Sequence, residues 1–293
     1  MNNSFVYILN SMRFQQWIKN FFIFAALIFS ANLFNVQDLL LTILGFILFS
    51  IAVSGVYIFN DIIDLEKDKL HPLKTRRPLP SEKLSVKAAA IASFILVLIG
   101  LLGAFILKTE FGVVLSIYVI INVWYSYQLK SIVILDVMTI ATGFVLRVIG
   151  GAVLIGVPTS EWLIICMVLL SLFLGFSKRR HEILILENLA NTLRSVLQHY
   201  NPYFLDQMIG IVTATTVMSY ALYTISEETI HKFGTKHLIY TVPFVLYGIF
   251  RYLYLVHKKE EGGNPTKVAL TDLPLLVNIV LWIVTVTIII YVK

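Results

Sequence analysis

Long apolar segments alternate with shorter polar ones along almost the whole chain of 293 residues. A helix needs about 20 consecutive apolar residues to cross the hydrocarbon core of a bilayer, and backbone polar groups in lipid must be paired within the segment. The pattern therefore predicts an all-α, polytopic membrane protein, a bundle of nine transmembrane helices in a single domain over residues 1–293. The nine predicted spans lie near residues 18–35, 38–60, 86–107, 111–128, 133–156, 161–178, 203–226, 238–257 and 273–292.

The longer polar stretches, residues 61–85, 178–202 and 258–272, follow the second, sixth and eighth predicted spans. They therefore fall on one face of the membrane. The N-terminal segment and the loops on that face hold 16 Lys and Arg residues, whereas the opposite loops and the C-terminus hold four. Because positive residues are retained on the cytoplasmic side, we expect a plasma-membrane protein with its N-terminus and active site in the cytoplasm and its C-terminus outside. The polar loops would cap the cytoplasmic end.

Composition supports a lipid-embedded chain and narrows its partners. Hydrophobic residues make up 58% and charged residues 14%, whereas about a quarter of a soluble domain is charged. The net charge of +6 is better explained by anionic lipid and an anionic substrate than by nucleic acid. The single Cys166 cannot form an internal disulfide.

Acidic side chains cluster where the second predicted span ends. If its helix continues, Asp61, Asp64 and Asp68 lie at positions i, i+3 and i+7 on one helical face. Three such carboxylates repel one another unless a cation lies among them, and Mg²⁺ commonly bridges carboxylates to substrate phosphates. The pattern predicts a magnesium site, and the alternative is a solvated helix end with incidental acids.

A basic cluster follows the acids directly. It contains Lys69, His71, Lys74, Arg76 and Arg77. Cationic side chains next to metal ligands suit a polyanion such as a diphosphate, because Arg can bind two phosphate oxygens at once. The alternative is attraction to lipid headgroups alone.

The run Asn60-Asp61-x-x-Asp64-x-x-x-Asp68, followed by a basic loop, resembles the first aspartate-rich motif of the UbiA superfamily of membrane prenyltransferases. The resemblance implies nine transmembrane helices, Mg²⁺ as cofactor and a cytoplasm-facing active site. The second motif of that superfamily departs from the pattern here. Asp136 is present, but Ile140 stands where a second aspartate is usual, which weakens an aromatic-prenyltransferase interpretation.

Other segments resemble the branch of the superfamily formed by decaprenyl-type polyprenyl-phosphate phosphoribosyltransferases. That resemblance implies transfer of 5-phosphoribose from phosphoribosyl pyrophosphate (PRPP) to a polyprenyl phosphate, with release of pyrophosphate, for cell-envelope glycan synthesis. The alternative is a UbiA-type enzyme that moves a prenyl group from a prenyl diphosphate to an aromatic or isoprenoid acceptor. The segments that carry the resemblance are Gln16–Asn20, His71–Pro78, Tyr125–Asp136, Leu146–Gly151 and Lys178–Glu182.

The resemblance also implies roles for individual residues. Asp61, Asp64 and Asp68 would bind the metal and act with Asp136 in catalysis. The implied substrate-binding residues are Lys19, Asn60, Lys74, Arg76, Arg77, Tyr127, Lys130, Arg147, Lys178, Arg179 and Glu182, with Glu187 on a helix that caps the site.

Simpler explanations exist for some of these residues. Lys19 beside Trp17 is also typical of a membrane-interface anchor. Arg147 within a span is also typical of a structural partner, and Lys178 and Arg179 of positive-inside anchors.

A transporter would instead show inverted repeats and charges spread over several spans. Homo-oligomer formation is left open.

Overall fold

The computed structural model describes residues 3–70, 72, 74–186, 195–258, 263 and 265–292. All regular secondary structure in these residues is helical, and eight of the helices are long and apolar enough to cross a membrane. The all-α, multi-pass fold is thus confirmed. The chain divides into two compact units, residues 1–159 with 189–198 and residues 160–188 with 199–293. A single domain over the whole chain stays a prediction.

The first unit holds four of the eight membrane-spanning helices. They are α3, α5, α6 and α7. The connection from α3 to α5 contains the short helix α4 and a 3₁₀ helix, and the later connections are short. Its α-helices are α1 (Asn3–Ser11), α2 (Phe24–Phe29), α3 (Val36–Ile63), α4 (Leu65–Leu70), α5 (Val86–Leu107), α6 (Thr109–Tyr127) and α7 (Leu135–Ile155), and 3₁₀ helices cover Phe14–Ile23, Lys74–Arg76 and Leu129–Ser131.

The second unit holds the other four. The helix Pro202–Ile225 is capped by Asn201, whose side chain accepts a hydrogen bond from the Phe204 N–H. Pro202 is its first residue, a position where the backbone N–H has no partner within the helix and proline is therefore favoured. Its α-helices are α8 (Glu161–Leu186), α9 (Pro202–Ile225), α10 (Glu227–Phe233), α11 (Val242–Lys258), α12 (Pro265–Thr271) and α13 (Leu273–Tyr291), with a 3₁₀ helix at His237–Thr241.

The predicted first span, 18–35, does not form as one long helix, so the count of nine is not confirmed in the described residues. A ten-residue 3₁₀ helix, Phe14–Ile23, leads instead into the six-residue α2. Polar side chains explain the difference. Asn20 Nδ2 donates to Ser50 Oγ at 2.9 Å and Trp17 Nε1 donates to Ser54 Oγ at 3.0 Å, so this segment packs along α3 through buried hydrogen bonds.

Helices α3 and α5 approach each other closely through small residues. A Cβ added to Gly55 would lie 2.7 Å from the Ser93 carbonyl oxygen, and Ser93 Oγ donates to the Gly55 carbonyl at 2.7 Å. Such close contact is a common way to pack helices in lipid, where no hydrophobic force draws apolar surfaces together. It holds the end of α3, and with it the acidic motif, in a fixed position.

One end of the first unit gathers three distant segments. Arg13 from the N-terminal segment contacts Asp61 at the end of α3, and Lys130 from the loop after α6 contacts Asp64. The loops after α3 and α6 therefore share one end of this unit, as the polar pattern predicts. The side of the membrane on which that end lies stays a prediction.

Candidate active site

The acidic motif lies across a break between two helices. Helix α3 ends at Ile63 and α4 begins at Leu65, with Asp64 between them. The backbone hydrogen bonds nevertheless continue across the break, from the Asp64 N–H to the Asn60 carbonyl (2.9 Å) and from the Asp68 N–H to the Asp64 carbonyl (2.8 Å). The helical register that the sequence predicts for the three acids is therefore largely kept.

Two of the three acids converge on one arginine. Arg77 Nη1 donates to Asp61 Oδ1 at 3.0 Å and to Asp68 Oδ2 at 2.6 Å. Lys74 Nζ donates to Asp68 Oδ1 at 3.0 Å, and Arg13 donates to Asp61 Oδ1. Both carboxylates are almost fully buried. We call Asp61, Asp68, Arg13, Lys74 and Arg77 the acid–cation cluster.

Cations crowd this cluster. The pKa of Arg77 is lowered from its usual value, chiefly by burial and then by the neighbouring charge of Arg13, while Asp61 and Asp68 act in the opposite direction. The cluster thus brings together three basic and two acidic side chains. A cluster with this excess of positive charge favours an anionic ligand.

The third acid pairs with a different loop. Lys130 Nζ donates to Asp64 Oδ1 at 2.5 Å, and Asn60 Nδ2 donates to Asp64 Oδ2 at 3.2 Å. Ser126 on α6 in turn donates to Asn60 Oδ1 at 3.0 Å. Asp64 thereby ties the end of α3 to the loop after α6, beside the acid–cation cluster.

Arg13 is the residue that the sequence analysis missed. It has a left-handed backbone conformation (φ 54°, ψ 54°) between α1 and the 3₁₀ helix, which is uncommon for a residue with a side chain. Its neighbour Met12 is buried against Ile58 and Leu79, and its own guanidinium lies 5.2 Å from the Tyr57 ring centroid. In the sequence, the only sign of a role for Arg13 is its position as a single arginine just before the first apolar segment.

Deeper in the first unit, Arg147 is buried among neutral partners. Its Nε donates to Asn20 Oδ1 (2.8 Å), its Nη1 to the Gly143 carbonyl (2.7 Å) and its Nη2 to the Tyr118 hydroxyl (2.9 Å). Its guanidinium carbon also lies 4.8 Å from the ring centroid of Tyr118 and 5.1 Å from that of Phe144. The structural explanation of Arg147 thus has direct support, although none of its partners in the described residues is a carboxylate.

Lys19 lies close to Arg147 in the same region. Asn20, its neighbour in sequence, holds Arg147, and a Cβ added to Gly151 on α7 would lie 1.9 Å from the Ile23 carbonyl oxygen. The 3₁₀ helix is therefore pressed against α7. Lys19 is half-buried and has no hydrogen bond or ion pair within the described residues.

Three other predicted residues of the first unit differ widely in their exposure. Tyr127 is 60% exposed and packs its ring against Phe59 at 5.8 Å. Arg76 is exposed. Asp136 is fully buried in the first turn of α7, where a negative charge is favoured by the helix dipole.

The predicted residues of the second unit form their own group near the end of α8. Arg179 is fully buried, and its Nη1 donates to Glu182 Oε2 at 2.6 Å. Lys178 Nζ lies 3.9 Å from Glu182 Oε1. Glu187 and, in the first unit, His71 lie outside the described residues.

The two carboxylates of the acid–cation cluster suit a divalent cation that binds together with an anionic ligand. Within the described residues no group of three or more acidic, His or Cys side chains is arranged as a complete metal site. Asp61 and Asp68 nevertheless point their oxygens at one shared cation, Arg77. Hard carboxylate oxygens that converge in this way suit Mg²⁺, which takes its remaining ligands from water and phosphate.

Known proteins resemble the chain over nearly its full length. It is 29% identical over 291 residues to the decaprenyl-phosphate phosphoribosyltransferase of Corynebacterium glutamicum, covering 97% of this chain and 86% of the relative. It is 27% identical over 283 residues to the protein of the same name from Mycobacterium tuberculosis, covering 95% and 92%.

A solved structure and a family model agree on the fold. A UbiA homologue from Archaeoglobus fulgidus bound to DMAPP and Mg²⁺ matches with a TM-score of 0.72 over 98% of this chain and 99% of that chain, at 18% identity. The model of the UbiA prenyltransferase family matches residues 20–271. Since that match covers most of the sequence, this multi-pass membrane protein belongs to the UbiA prenyltransferase family.

Proposed function

We propose that the protein transfers 5-phosphoribose from PRPP to a polyprenyl phosphate of the decaprenyl type, with release of pyrophosphate. The observation that carries the proposal is the convergence of Asp61 and Asp68 on Arg77, within a cluster that also contains Arg13 and Lys74. The named relatives are phosphoribosyltransferases of this type. The product would be a lipid-linked phosphoribose for cell-envelope glycan synthesis.

The acid–cation cluster would hold the pyrophosphate of the donor. Asp61 and Asp68, with Asp64 beside them, would bind Mg²⁺, which neutralises charge on the pyrophosphate when bound. Arg77, Lys74 and Arg13 would then turn from the carboxylates to the phosphate oxygens, which Arg can bind in pairs. Cations fixed where the leaving group gains charge lower the barrier to its departure.

The reaction balances without an added acid or base. A phosphate oxygen of the lipid forms a bond to C1 of the ribose, and the bond from C1 to the pyrophosphate oxygen breaks with its electron pair. Pyrophosphate leaves carrying that pair. The lipid phosphate is already ionised at neutral pH, so no side chain must remove a proton from the nucleophile. Asp136 is proposed to orient a ribose hydroxyl or stabilise positive charge at C1.

The other predicted ligands have supporting roles in this proposal. Lys130 and Asn60 would fix Asp64, and Arg76 and Tyr127 would lie at the rim of the site. Lys178, Arg179 and Glu182 in the second unit stay predicted substrate-binding residues. The N-terminus and active site would face the cytoplasm from a plasma membrane, and the C-terminus would lie outside.

The proposal is tested by offering the protein either PRPP or a prenyl diphosphate as the donor and measuring product formation. The purified full chain would be incubated with Mg²⁺ and farnesyl phosphate plus PRPP, or with Mg²⁺ and dimethylallyl diphosphate plus an aromatic acid. We expect pyrophosphate and a phosphoribosylated lipid from the first mixture alone. Turnover of the second mixture alone would favour the rival prenyltransferase, which Ile140 in place of a second aspartate already disfavours.

A further inference from the structure

The cations of the first unit differ in how far nearby acids balance them. Arg13, Lys74, Arg77 and Lys130 all contact Asp61, Asp64 or Asp68. Lys19 and Arg147 contact no carboxylate within the described residues, and Lys19 has no hydrogen-bonding partner there. Burying charge without a counter-ion is costly, so an anionic ligand would stabilise this inner cation pair, Lys19 and Arg147.

The inner cation pair is held rigidly in place. Asn20 bridges Ser50 on α3 and Arg147 on α7 with hydrogen bonds of 2.9 and 2.8 Å. The close contact between Gly151 and Ile23 fixes the 3₁₀ helix against α7. Lys19 therefore projects from an anchored backbone, and a ligand that meets it finds a positively charged surface that is already formed.

The surroundings of Lys19 are apolar. Side chains three residues apart lie on the same face of a 3₁₀ helix, so Lys19 shares a face with Phe22. The Phe22 ring packs edge-on against Phe144 at 5.4 Å, and Phe144 lies against the Arg147 guanidinium. A cation beside aromatic rings suits a ligand that joins a phosphate to a hydrocarbon chain better than a sugar phosphate.

Arg13 connects this region to the acid–cation cluster. It contacts Asp61 directly. Burial, followed by the charge of Arg147 and then that of Arg13, lowers the pKa of Lys19. An anion bound at Lys19 would not compete for the carboxylates that contact Lys74 and Arg77.

We propose that Lys19, with Arg13 and Arg147, forms a second anion site that needs no metal and receives the phosphate monoester of the acceptor lipid. This inference rests on the proposed function, since it assigns the nucleophile of that reaction its place. The donor and the acceptor would then occupy separate phosphate sites, one with a metal and one without, that meet at Arg13.

Binding of farnesyl phosphate in EDTA and without PRPP tests the inference. The full chain in nanodiscs of neutral lipid would be titrated by calorimetry, and the variants would be Lys19→Met, Lys19→Arg and Lys87→Met. Lys87 is an exposed lysine of α5 and serves as the control. Loss of one charged contact should weaken binding about 10- to 100-fold in Lys19→Met, with little change in the other two.

Two further ligands, farnesol and PRPP, test whether Lys19 binds the phosphate of the lipid, the hydrocarbon chain or the donor. Farnesol lacks the anion, so its binding should be equal in all four proteins. PRPP with Mg²⁺ should bind wild type and Lys19→Met equally. The inference is overturned if Lys19→Met keeps full affinity for farnesyl phosphate, if that binding requires Mg²⁺, or if the variant loses PRPP instead.

These outcomes differ from a failure of the proposed function. A protein that binds farnesyl phosphate through Lys19 but makes no product from PRPP would keep the acceptor site and refute only the donor. A protein that uses PRPP while Lys19→Met binds farnesyl phosphate normally would keep the function and refute only this site.

Discussion

Arg147 Nε donates a 2.8 Å hydrogen bond to Oδ1 of Asn20, which lies 127 residues earlier in the chain. The bond joins a buried charge on α7 to a short 3₁₀ helix that the hydropathy pattern assigns to an ordinary span. It explains how the N-terminal segment is fixed in a position from which Arg13 contacts Asp61.

Asn20→Ala should therefore lower stability and activity together. The change removes one acceptor from a buried guanidinium and one donor from Ser50, and a buried polar group left unpaired costs about 1–3 kcal/mol. Thermal unfolding in detergent, followed by tryptophan fluorescence, measures the effect. Gln15→Ala, at an exposed position of the same helix, is the control; equal melting temperatures for the two variants would contradict the structural role of Asn20.

Gly151→Ala tests the contact between the 3₁₀ helix and α7. The added Cβ would lie 1.9 Å from the Ile23 carbonyl oxygen, so backbone must move and transfer activity should fall. Gly210→Ala is a matched control in α9, because a Cβ there meets no heavy atom within 4 Å. That control should be neutral or stabilising by up to about 1 kcal/mol, since alanine favours helix. Similar behaviour of both variants would show that the close contact is not required.

Lys19→Met should stabilise the ligand-free protein at pH 7. Lys19 lies outside the eight spans, and burial, followed by the charges of Arg147 and Arg13, lowers its pKa to about 8. The unfolded chain keeps this proton up to about pH 10.4, so the protonated side chain destabilises the native state below pH 8. Wild type recovers stability as the native lysine loses its proton.

Thermal melts of wild type and Lys19→Met from pH 6 to pH 10 measure this effect. The difference between their melting temperatures should be largest below pH 8 and shrink above it. A variant that melts below wild type at pH 7, or a difference that does not change with pH, would be incompatible with an uncompensated charge at Lys19.

Asp64 and Lys130 should show energetic coupling. Their side chains are 18% and 15% exposed and form a 2.5 Å ion pair, so a double-mutant cycle with Asp64→Asn and Lys130→Met should give a coupling energy of about 1–2 kcal/mol. Urea unfolding in mixed micelles provides the four stabilities. Purely additive effects would indicate that the pair does not tie α3 to the loop after α6.

The sequence predicts the later spans well because lipid imposes a simple requirement on length and polarity. Val36–Ile63, Val86–Leu107 and Leu273–Tyr291 lie close to their predicted positions. The first predicted span does not form one long helix, because Trp17 and Asn20 donate hydrogen bonds to side chains on α3, which hydropathy cannot show.

The candidate site was partly visible in the sequence. The local spacing of Asp61, Asp64 and Asp68 survives because helical hydrogen bonds cross the break at Asp64. Asp61 and Asp68 pair with Arg77, whereas Asp64 pairs with Lys130. These pairings depend on tertiary contacts, so the local sequence does not predict them. Arg13 was missed for the same reason, since its approach to Asp61 depends on a left-handed backbone at Arg13 and on the packing of Met12.

The central claim is that Asp61 helps bind a divalent cation that holds the diphosphate of PRPP. The most direct measurement is pyrophosphate release from PRPP and farnesyl phosphate as Mg²⁺ is titrated into wild type, Asp61→Asn and Glu66→Gln, where Glu66 is an exposed acid of α4. Wild type and Glu66→Gln should show the same Mg²⁺-dependent rate, EDTA should abolish it, and Asp61→Asn should lose at least about 100-fold, as removal of key electrostatic groups typically does. Full activity in Asp61→Asn at low Mg²⁺ would contradict the account.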